Sequence, residues 1–153
     1  MYLLDTNHCS HFLTGNRWVR EHILELDQTD VSTSVVVRGE LLYMAQRSER
    51  PLDTLGVIMA FLGDITTYHT DYAVAQSYAE LKALLFARYA PKERAKRRHT
   101  TLHDLGFDEN DRWIAGTALR FGLIVVSSDN DFGRIAEAVP LLHDNWLTHE
   151  MTN

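Results

Sequence analysis

The chain has little of what marks a secreted or membrane-bound protein. It has one cysteine, Cys9, so no internal disulfide can form. It has no apolar run near the roughly 18 residues that a membrane span needs. Its opening MYLLDTN has no basic residues ahead of a short apolar run, unlike a signal peptide. We therefore expect a soluble cytoplasmic protein without membrane contact.

Prolines and glycines are also few, three and eight in 153 residues, and no linker, repeat or low-complexity tract is visible. With 45% apolar and 24% charged residues, the composition is that of an ordinary globular protein. The length is sufficient for a sizeable core. We predict one domain over residues 1–153.

Positive charge is concentrated in one segment of an acidic chain. The net charge is −6. Residues 88–98, which we call the basic segment, hold six of the fifteen lysines and arginines: Arg88, Lys92, Arg94, Lys96, Arg97 and Arg98. This distribution indicates a local anionic partner rather than a wholly basic nucleic-acid binder.

Short apolar runs alternate with amphipathic stretches along the whole chain. Strands are predicted over residues 1–5, 31–35, 65–68, 123–126 and 139–143, the last at a sheet edge. Helices are predicted between them, with Thr6 or Asn7 capping the first. The clearest runs from its cap Asp108 to Gly122. The alternation predicts an α/β fold with a central parallel sheet of about five strands and helices on both faces.

Four acidic residues lie where this fold could gather them: Asp5, Glu40, Asp111 and Asp129. Three are at or near strand or helix ends, and ligands of parallel sheets bind beyond the carboxyl ends of the strands. Carboxylates gathered there repel one another unless a divalent cation neutralises them. Such a cluster is typical of metal-dependent phosphodiester hydrolysis.

Each acid also has an ordinary structural interpretation. Asp5 could simply end a strand, although an isolated charge beside a core is costly. Glu40 interrupts an apolar helix face and has no basic residue at i+3 or i+4, so it must reach solvent, a base or a cation. Asp111 could complete a capping box with Asp108. Asp129 could cap a short helix, and Asp131 competes with it for either role.

Four motifs, in order, carry a resemblance to a known family. They are MYLLDTN, GELLYMA, NDRWIAGTAL and GLIVVSSDNDF, and together they resemble the successive motifs of PIN-domain ribonucleases. The resemblance extends over nearly the whole chain and is strongest to VapC toxins of bacterial toxin–antitoxin pairs. The stretch from ERAKRRH to IAGTAL is similar to the subgroup described as cutting initiator tRNA.

The resemblance implies a PIN-like three-layer α/β sandwich, a Mg²⁺ or Mn²⁺ cofactor, a homodimer and a cognate antitoxin. It also implies an RNA substrate, with tRNA the expected one. By position, Asp5, Glu40, Asp111 and Asp129 match the catalytic, metal-binding acids, with Asp5 and Asp111 as the first pair. Thr6 and Ser127 match hydroxyl residues that orient carboxylates or contact phosphate.

RNA needs a contact surface outside an acidic pocket. Arg94, Lys96, Arg97 and Arg98 are the predicted phosphate contacts, because lysine and arginine give sequence-independent affinity for nucleic acid. A solvated helical extension is the other interpretation of this segment. Trp113 and Trp146 could stack on bases or pack internally.

Three other functions share part of this pattern. A haloacid-dehalogenase-like phosphatase also places an Asp after a buried strand, but it needs a second Asp where this chain has Asn7. A PIN nuclease of RNA processing would share all four acids. A non-catalytic PIN scaffold that only binds RNA or protein would not need to retain them.

Overall fold

A computed structural model describes residues 1–147 of the chain. The strands are β1 Tyr2–Leu4, β2 Val31–Ser34, β3 Thr66–Tyr68, β4 Ile124–Val126 and β5 Leu142–Asp144. The first helices are α1 Thr6–Leu13, α2 Arg17–Glu25, α3 Val35–Arg47 and α4 Pro51–Asp64. The remaining helices are α5 Tyr72–Tyr89, α6 Arg94–Arg97, α7 Glu109–Phe121 and α8 Asn130–Ala136.

The five strands form one parallel sheet in the order β3-β2-β1-β4-β5. In β1, Leu3 and Leu4 point to opposite faces, and both are fully buried. Helices therefore cover both faces of this central strand. The predicted α/β sandwich with a five-stranded parallel sheet is confirmed.

The strands that follow β1 in the chain lie on both sides of it, β2 and β3 on one side and β4 and β5 on the other. The connections from β1 through β3 move toward one edge, and the chain then returns to β4 and continues to the other edge. Right-handed crossovers put helices α1–α4 on one face and α5–α8 on the other. The carboxyl ends of β1 and β4 thus form a topological switch point, where open α/β sheets bind ligands.

Helices α5 and α7 pack closely because of Gly116. A Cβ atom on Gly116 would lie 3.2 Å from the Cα, Cβ and backbone nitrogen of Tyr78. The Tyr78 ring stacks on Trp113 with centroids 3.8 Å apart, and its hydroxyl donates to Glu109 at the start of α7. At the end of α5, Tyr89 contacts Phe107, just before α7. The helices are antiparallel, so α5 ends where α7 begins.

Two predicted details were wrong. Helix α1 is capped by Asp5, whose carboxylate accepts from the backbone N–H of His8, and not by Thr6 or Asn7. Strand β5 covers 142–144 instead of 139–143. Pro140 lacks an N–H, which explains why a regular ladder begins only after it.

The predicted ends of α7 agree with the structure. Asp108 caps α7, and Gly122 ends it in the left-handed conformation at φ 66°. Cys9 is fully buried as a packing residue, and burial, with the charge of Asp5, raises its pKa. No helix within residues 1–147 is long and apolar enough to cross a membrane.

Candidate active site

Asp5 lies at the switch point and is held from three directions. Its side chain is nearly buried, with 4% of the residue exposed. Oδ1 accepts from the backbone N–H of His8 at 2.7 Å and contacts Nδ1 of the His8 ring at 3.2 Å. Oδ2 accepts from the hydroxyl of Ser127, at the end of β4, at 2.5 Å. The carboxylate is therefore fixed at the junction of β1 and β4.

Glu40 lies on α3 between the starts of α1 and α7. Thr6 donates its hydroxyl to Oε2, and the Asn110 amide donates to Oε1 at 2.5 Å. No base pairs with Glu40 within residues 1–147, in agreement with the helical spacing of the sequence. Two neutral donors orient this carboxylate and leave its negative charge uncompensated.

The environment of Asp111 disfavours negative charge on its carboxylate. Burial and the charges of Asp129, Asp108, Asp5 and Asp131, in that order, raise its pKa to about 7. No hydrogen bond reaches its carboxylate from residues 1–147, so the predicted capping box with Asp108 is absent. The effect of Asp129 and Asp5 on this pKa shows that the three acids share one electrostatic environment.

Asp129 and Asp131 differ in their partners. Asp129 caps α8 by accepting from the backbone N–H of Asp131 at 2.9 Å, so the capping interpretation holds for it. Asp131 is ion-paired with Arg134 at 2.8 Å. Asp129 has no cationic partner within residues 1–147, and its charge acts more strongly on Asp111 than that of Asp131. The geometry favours Asp129 over Asp131 as a member of the acidic cluster.

The chemistry of this cluster fits a divalent cation. The carboxylate oxygens are hard ligands, and a cation would relieve the repulsion that raises the pKa of Asp111. No three His, Cys, Asp or Glu side chains within residues 1–147 are arranged closely enough to hold a metal ion. Mg²⁺ keeps several of its waters and needs only one or two protein carboxylates, so the first pair, Asp5 and Asp111, is sufficient in number.

Two contacts of the site were not predicted from the sequence. His8 is fully buried and contacts Asp5. Asn110 orients Glu40 from 70 residues away in the chain. His8 follows Asp5 by three residues, which places it one helical turn beyond a capping acid. That spacing was the available signal for His8; no local pattern marks Asn110.

The basic segment divides into anchored and free side chains. Arg88 pairs with Glu137, and Lys96 pairs with Glu93, each at 2.9 Å. Arg97 lies over the Phe86 ring, 4.7 Å from its centroid. Arg94 and Arg98 are exposed and have no acidic or aromatic partner within residues 1–147.

The two tryptophans considered for base stacking make contacts within the protein. Trp113 stacks on Tyr78, and Trp146 is buried with 2% exposed. Trp146 packs on the rings of Tyr2 and His22. Burial leaves Trp146 no face for base stacking, whereas Trp113 is half-buried with Tyr78 stacked on its ring.

A parallel sheet with this strand order and acids at the switch point defines an α/β protein with a charged ligand site. Residues 2–138 match the PIN domain, and the chain belongs to that family. This confirms the family predicted from the four motifs.

One curated relative is the tRNA(fMet)-specific endonuclease VapC of Shigella flexneri. It is 27% identical over 135 residues, which cover 88% of this chain and 91% of the relative. The similarity thus extends over nearly the full length of both proteins.

Solved structures of the same fold come from VapBC complexes. The DNA-bound VapBC from Salmonella typhimurium has a TM-score of 0.75 at 24% identity, covering 95% of this chain and 97% of that one. VapBC2 from Rickettsia felis, bound to a promoter DNA fragment, has a TM-score of 0.74 at 20% identity, covering 95% and 98%. VapBC-1 from nontypeable Haemophilus influenzae has a TM-score of 0.73 at 18% identity, covering 96% of this chain and 98% of that one. These likenesses establish the fold.

Proposed function

We propose that the protein is a metal-dependent endoribonuclease and the toxin of a VapBC-like toxin–antitoxin pair. The observation that carries this proposal is the grouping of Asp5, Asp111 and Asp129 at the switch point of a PIN fold, where burial and the neighbouring carboxylates raise the pKa of Asp111. Asp111 is partly buried among carboxylates, and the positive charge of a divalent cation would relieve their repulsion. The Shigella relative, named as a tRNA(fMet)-specific endonuclease, supports RNA, and tRNA in particular, as the substrate.

The residues have distinct proposed roles. Asp5 and Asp111 hold the first Mg²⁺ or Mn²⁺, while Glu40 and Asp129 complete its surroundings or hold a second ion. When bound, the metal activates water and stabilises charge on the phosphodiester. Ser127 orients Asp5 through its 2.5 Å hydrogen bond, and Thr6 orients Glu40.

The RNA backbone is held outside the acids. Helix α5 ends where α7 begins, so the basic segment that follows α5 lies toward the same end of the molecule as Asp111. Arg94 and Arg98 are free for phosphate, whereas Arg97 and Lys96 have intramolecular partners. We propose the first two as the principal phosphate contacts.

An antitoxin has an apolar groove available to it. A cavity of about 510 Å³ lies between α1, α2 and α4. Its apolar lining includes Phe12, Leu13, Ile23, Leu24, Val57 and Phe61. Leu24 is 82% exposed, and a groove of this kind suits the apolar face of a partner helix. The VapBC complexes of the same fold support an antitoxin as that partner, and we expect a homodimer of the toxin.

The direct test is RNA cleavage by the purified protein, freed of any antitoxin. Total tRNA is incubated with Mg²⁺, with Mn²⁺ and with chelator, and RNA ends are sequenced. We expect cutting only with metal, and none by Asp5→Asn. Cutting in chelator, or by Asp5→Asn, would overturn the proposed chemistry.

An expression test beside the cleavage assay separates the proposal from its alternatives. A PIN nuclease of RNA processing would cut in metal but would not arrest growth when expressed. A non-catalytic scaffold would bind RNA without cutting it. Growth arrest that a short upstream reading frame relieves would favour the toxin.

A further inference from the structure

We infer that His8 is a positioning residue for Asp5, and that it leaves Oδ2 as the oxygen free to bind metal. The inference rests on the proposed metal site and deepens it. His8 is fully buried directly beside Asp5, and both of its ring nitrogens have partners.

The partners of the ring define its tautomer. Nε2 lies 3.3 Å from the backbone nitrogen of Trp146, which can only donate. Nε2 must therefore be an unprotonated acceptor, and the ring proton is on Nδ1. Nδ1 lies 3.2 Å from Oδ1 of Asp5 and donates to it. This arrangement resembles the way outer residues fix metal ligands elsewhere.

The contact with Trp146 connects the His8 ring to the segment that follows β5. Trp146 follows β5, is buried, and donates its indole N–H to Asp144 at 3.2 Å. Its ring stacks on His22 of α2 with centroids 5.3 Å apart. The donor to Nε2 is thereby held in place by both β5 and α2, so the His8 ring cannot turn without breaking this packing.

Counting lone pairs then assigns the two oxygens of Asp5. A carboxylate has about four acceptor positions, two on each oxygen. On Oδ1, the backbone N–H and the ring of His8 occupy both. On Oδ2, the hydroxyl of Ser127 occupies one. One position remains, so Oδ2 is the oxygen through which Asp5 would hold a metal.

Two substitutions at position 8 separate positioning from packing. In His8→Asn the amide nitrogen lies near the former Nδ1 and can still donate to Asp5. In His8→Gln the longer amide can accept from Trp146 but lacks the donor at Nδ1. Both variants keep the backbone N–H of residue 8, which donates to the capping carboxylate of Asp5. The readouts are Mn²⁺ affinity by calorimetry and thermal unfolding without metal.

We expect His8→Gln to weaken Mn²⁺ binding by about 10- to 100-fold, and His8→Asn to stay within a few-fold of wild type. A purely structural role predicts that affinity follows thermal stability in both variants, which would overturn the inference. Equal affinity in all three proteins would also overturn it. Asp5→Asn is the reference: if it binds Mn²⁺ as well as wild type, the proposed metal site itself fails.

A spectroscopic measurement tests the tautomer directly. Long-range proton–nitrogen correlation of the imidazoles in metal-free protein should show one neutral ring protonated on Nδ1, absent from His8→Asn. A ring protonated on Nε2 at this position would contradict the inference. This readout does not depend on activity or on metal.

Discussion

The hydroxyl of Ser127, at the end of β4, donates to Oδ2 of Asp5, at the end of β1, over 2.5 Å and across 122 positions of the chain. The bond joins the two strands that flank the switch point. It sets the orientation of the acid that we expect to bind metal. The first prediction follows from it.

Ser127→Ala removes this bond, which leaves a buried carboxylate oxygen of Asp5 without its hydroxyl donor, and also the bond that the hydroxyl accepts from the backbone N–H of Asp129 at 3.0 Å. We expect the metal-free protein to lose about 1–3 kcal/mol of unfolding free energy, and Mn²⁺ affinity to fall about tenfold. Ser128→Ala is the matched control, because Ser128 is exposed and its loss should change stability by less than about 0.5 kcal/mol. Equal effects of the two substitutions would refute the role of Ser127. Urea unfolding and calorimetry provide the measurements.

The second prediction concerns pH. An aspartate in an unfolded chain has a pKa of about 3.9, whereas burial and neighbouring acids raise that of Asp111 to about 7. Between these values the native state binds more protons than the unfolded state. The contribution of Asp111 to the free energy of unfolding therefore falls as pH rises from about 4 to about 7.

Asp111→Asn removes this titration. We expect the variant to raise the Tm of metal-free protein more at pH 8 than at pH 5. Asp53→Asn, in the exposed first turn of α4, is the control and should give a shift independent of pH. The same shift for Asp111→Asn at both pH values would show that Asp111 is not under carboxylate repulsion.

A third prediction is that Mn²⁺ affinity increases with pH through the titration of Asp111. A proton and a cation compete for this carboxylate, so binding improves as pH rises from about 6 to about 8 and releases protons below the pKa. Calorimetry in buffers of different ionisation enthalpy measures the release. An affinity that does not change over this range would contradict a metal at Asp111.

The close packing of α5 on α7 supports a fourth prediction. In Gly116→Ala the added methyl would meet the Tyr78 backbone at 3.2 Å, which cannot move aside like a flexible side chain. We expect a loss of about 1–3 kcal/mol in unfolding free energy. Gly56→Ala has open space in exposed α4 and should gain about 0.5–1 kcal/mol. Effects of the same sign would refute the packing argument.

The fifth prediction tests the basic segment. Arg94→Glu with Arg98→Glu should weaken RNA binding and reduce its salt dependence, because fewer phosphates are neutralised. Arg97 is left intact, since it packs on Phe86. The control is Arg50→Glu with Arg120→Glu, which makes the same change in charge outside the basic segment. Arg50 lies beyond the end of α3, and Arg120 lies in the last turn of α7. If RNA affinity falls equally in both double variants, the basic segment is a solvated surface and not an RNA contact.

Much of the fold followed from local patterns in the sequence. Buried runs such as Leu3–Leu4 and Val125–Val126 predicted the central strands, and Asp108 and Gly122 marked the ends of α7 correctly. Edges were harder. Strand β5 is exposed at all three positions, so hydrophobicity could not define its limits.

The candidate site was predictable only in part. Acids after strands, and Glu40 within an apolar helix face, are visible locally and through the family motifs. The roles of His8 and Asn110 depend on contacts with Trp146 and Glu40, which are 138 and 70 positions away. Tertiary structure alone brings such pairs together. Likewise, the preference for Asp129 over Asp131 needed the ion pair between Asp131 and Arg134.

The most direct measurement of the proposed metal site is an anomalous difference map from crystals soaked in Mn²⁺. We expect a peak within about 2.3 Å of Oδ2 of Asp5 and beside Asp111, as oxygen ligands of divalent ions require. The peak should vanish in Asp5→Asn crystals. No peak at the junction of β1 and β4 at saturating Mn²⁺, or a peak that persists in Asp5→Asn, would contradict a metal centre built on Asp5 and Asp111.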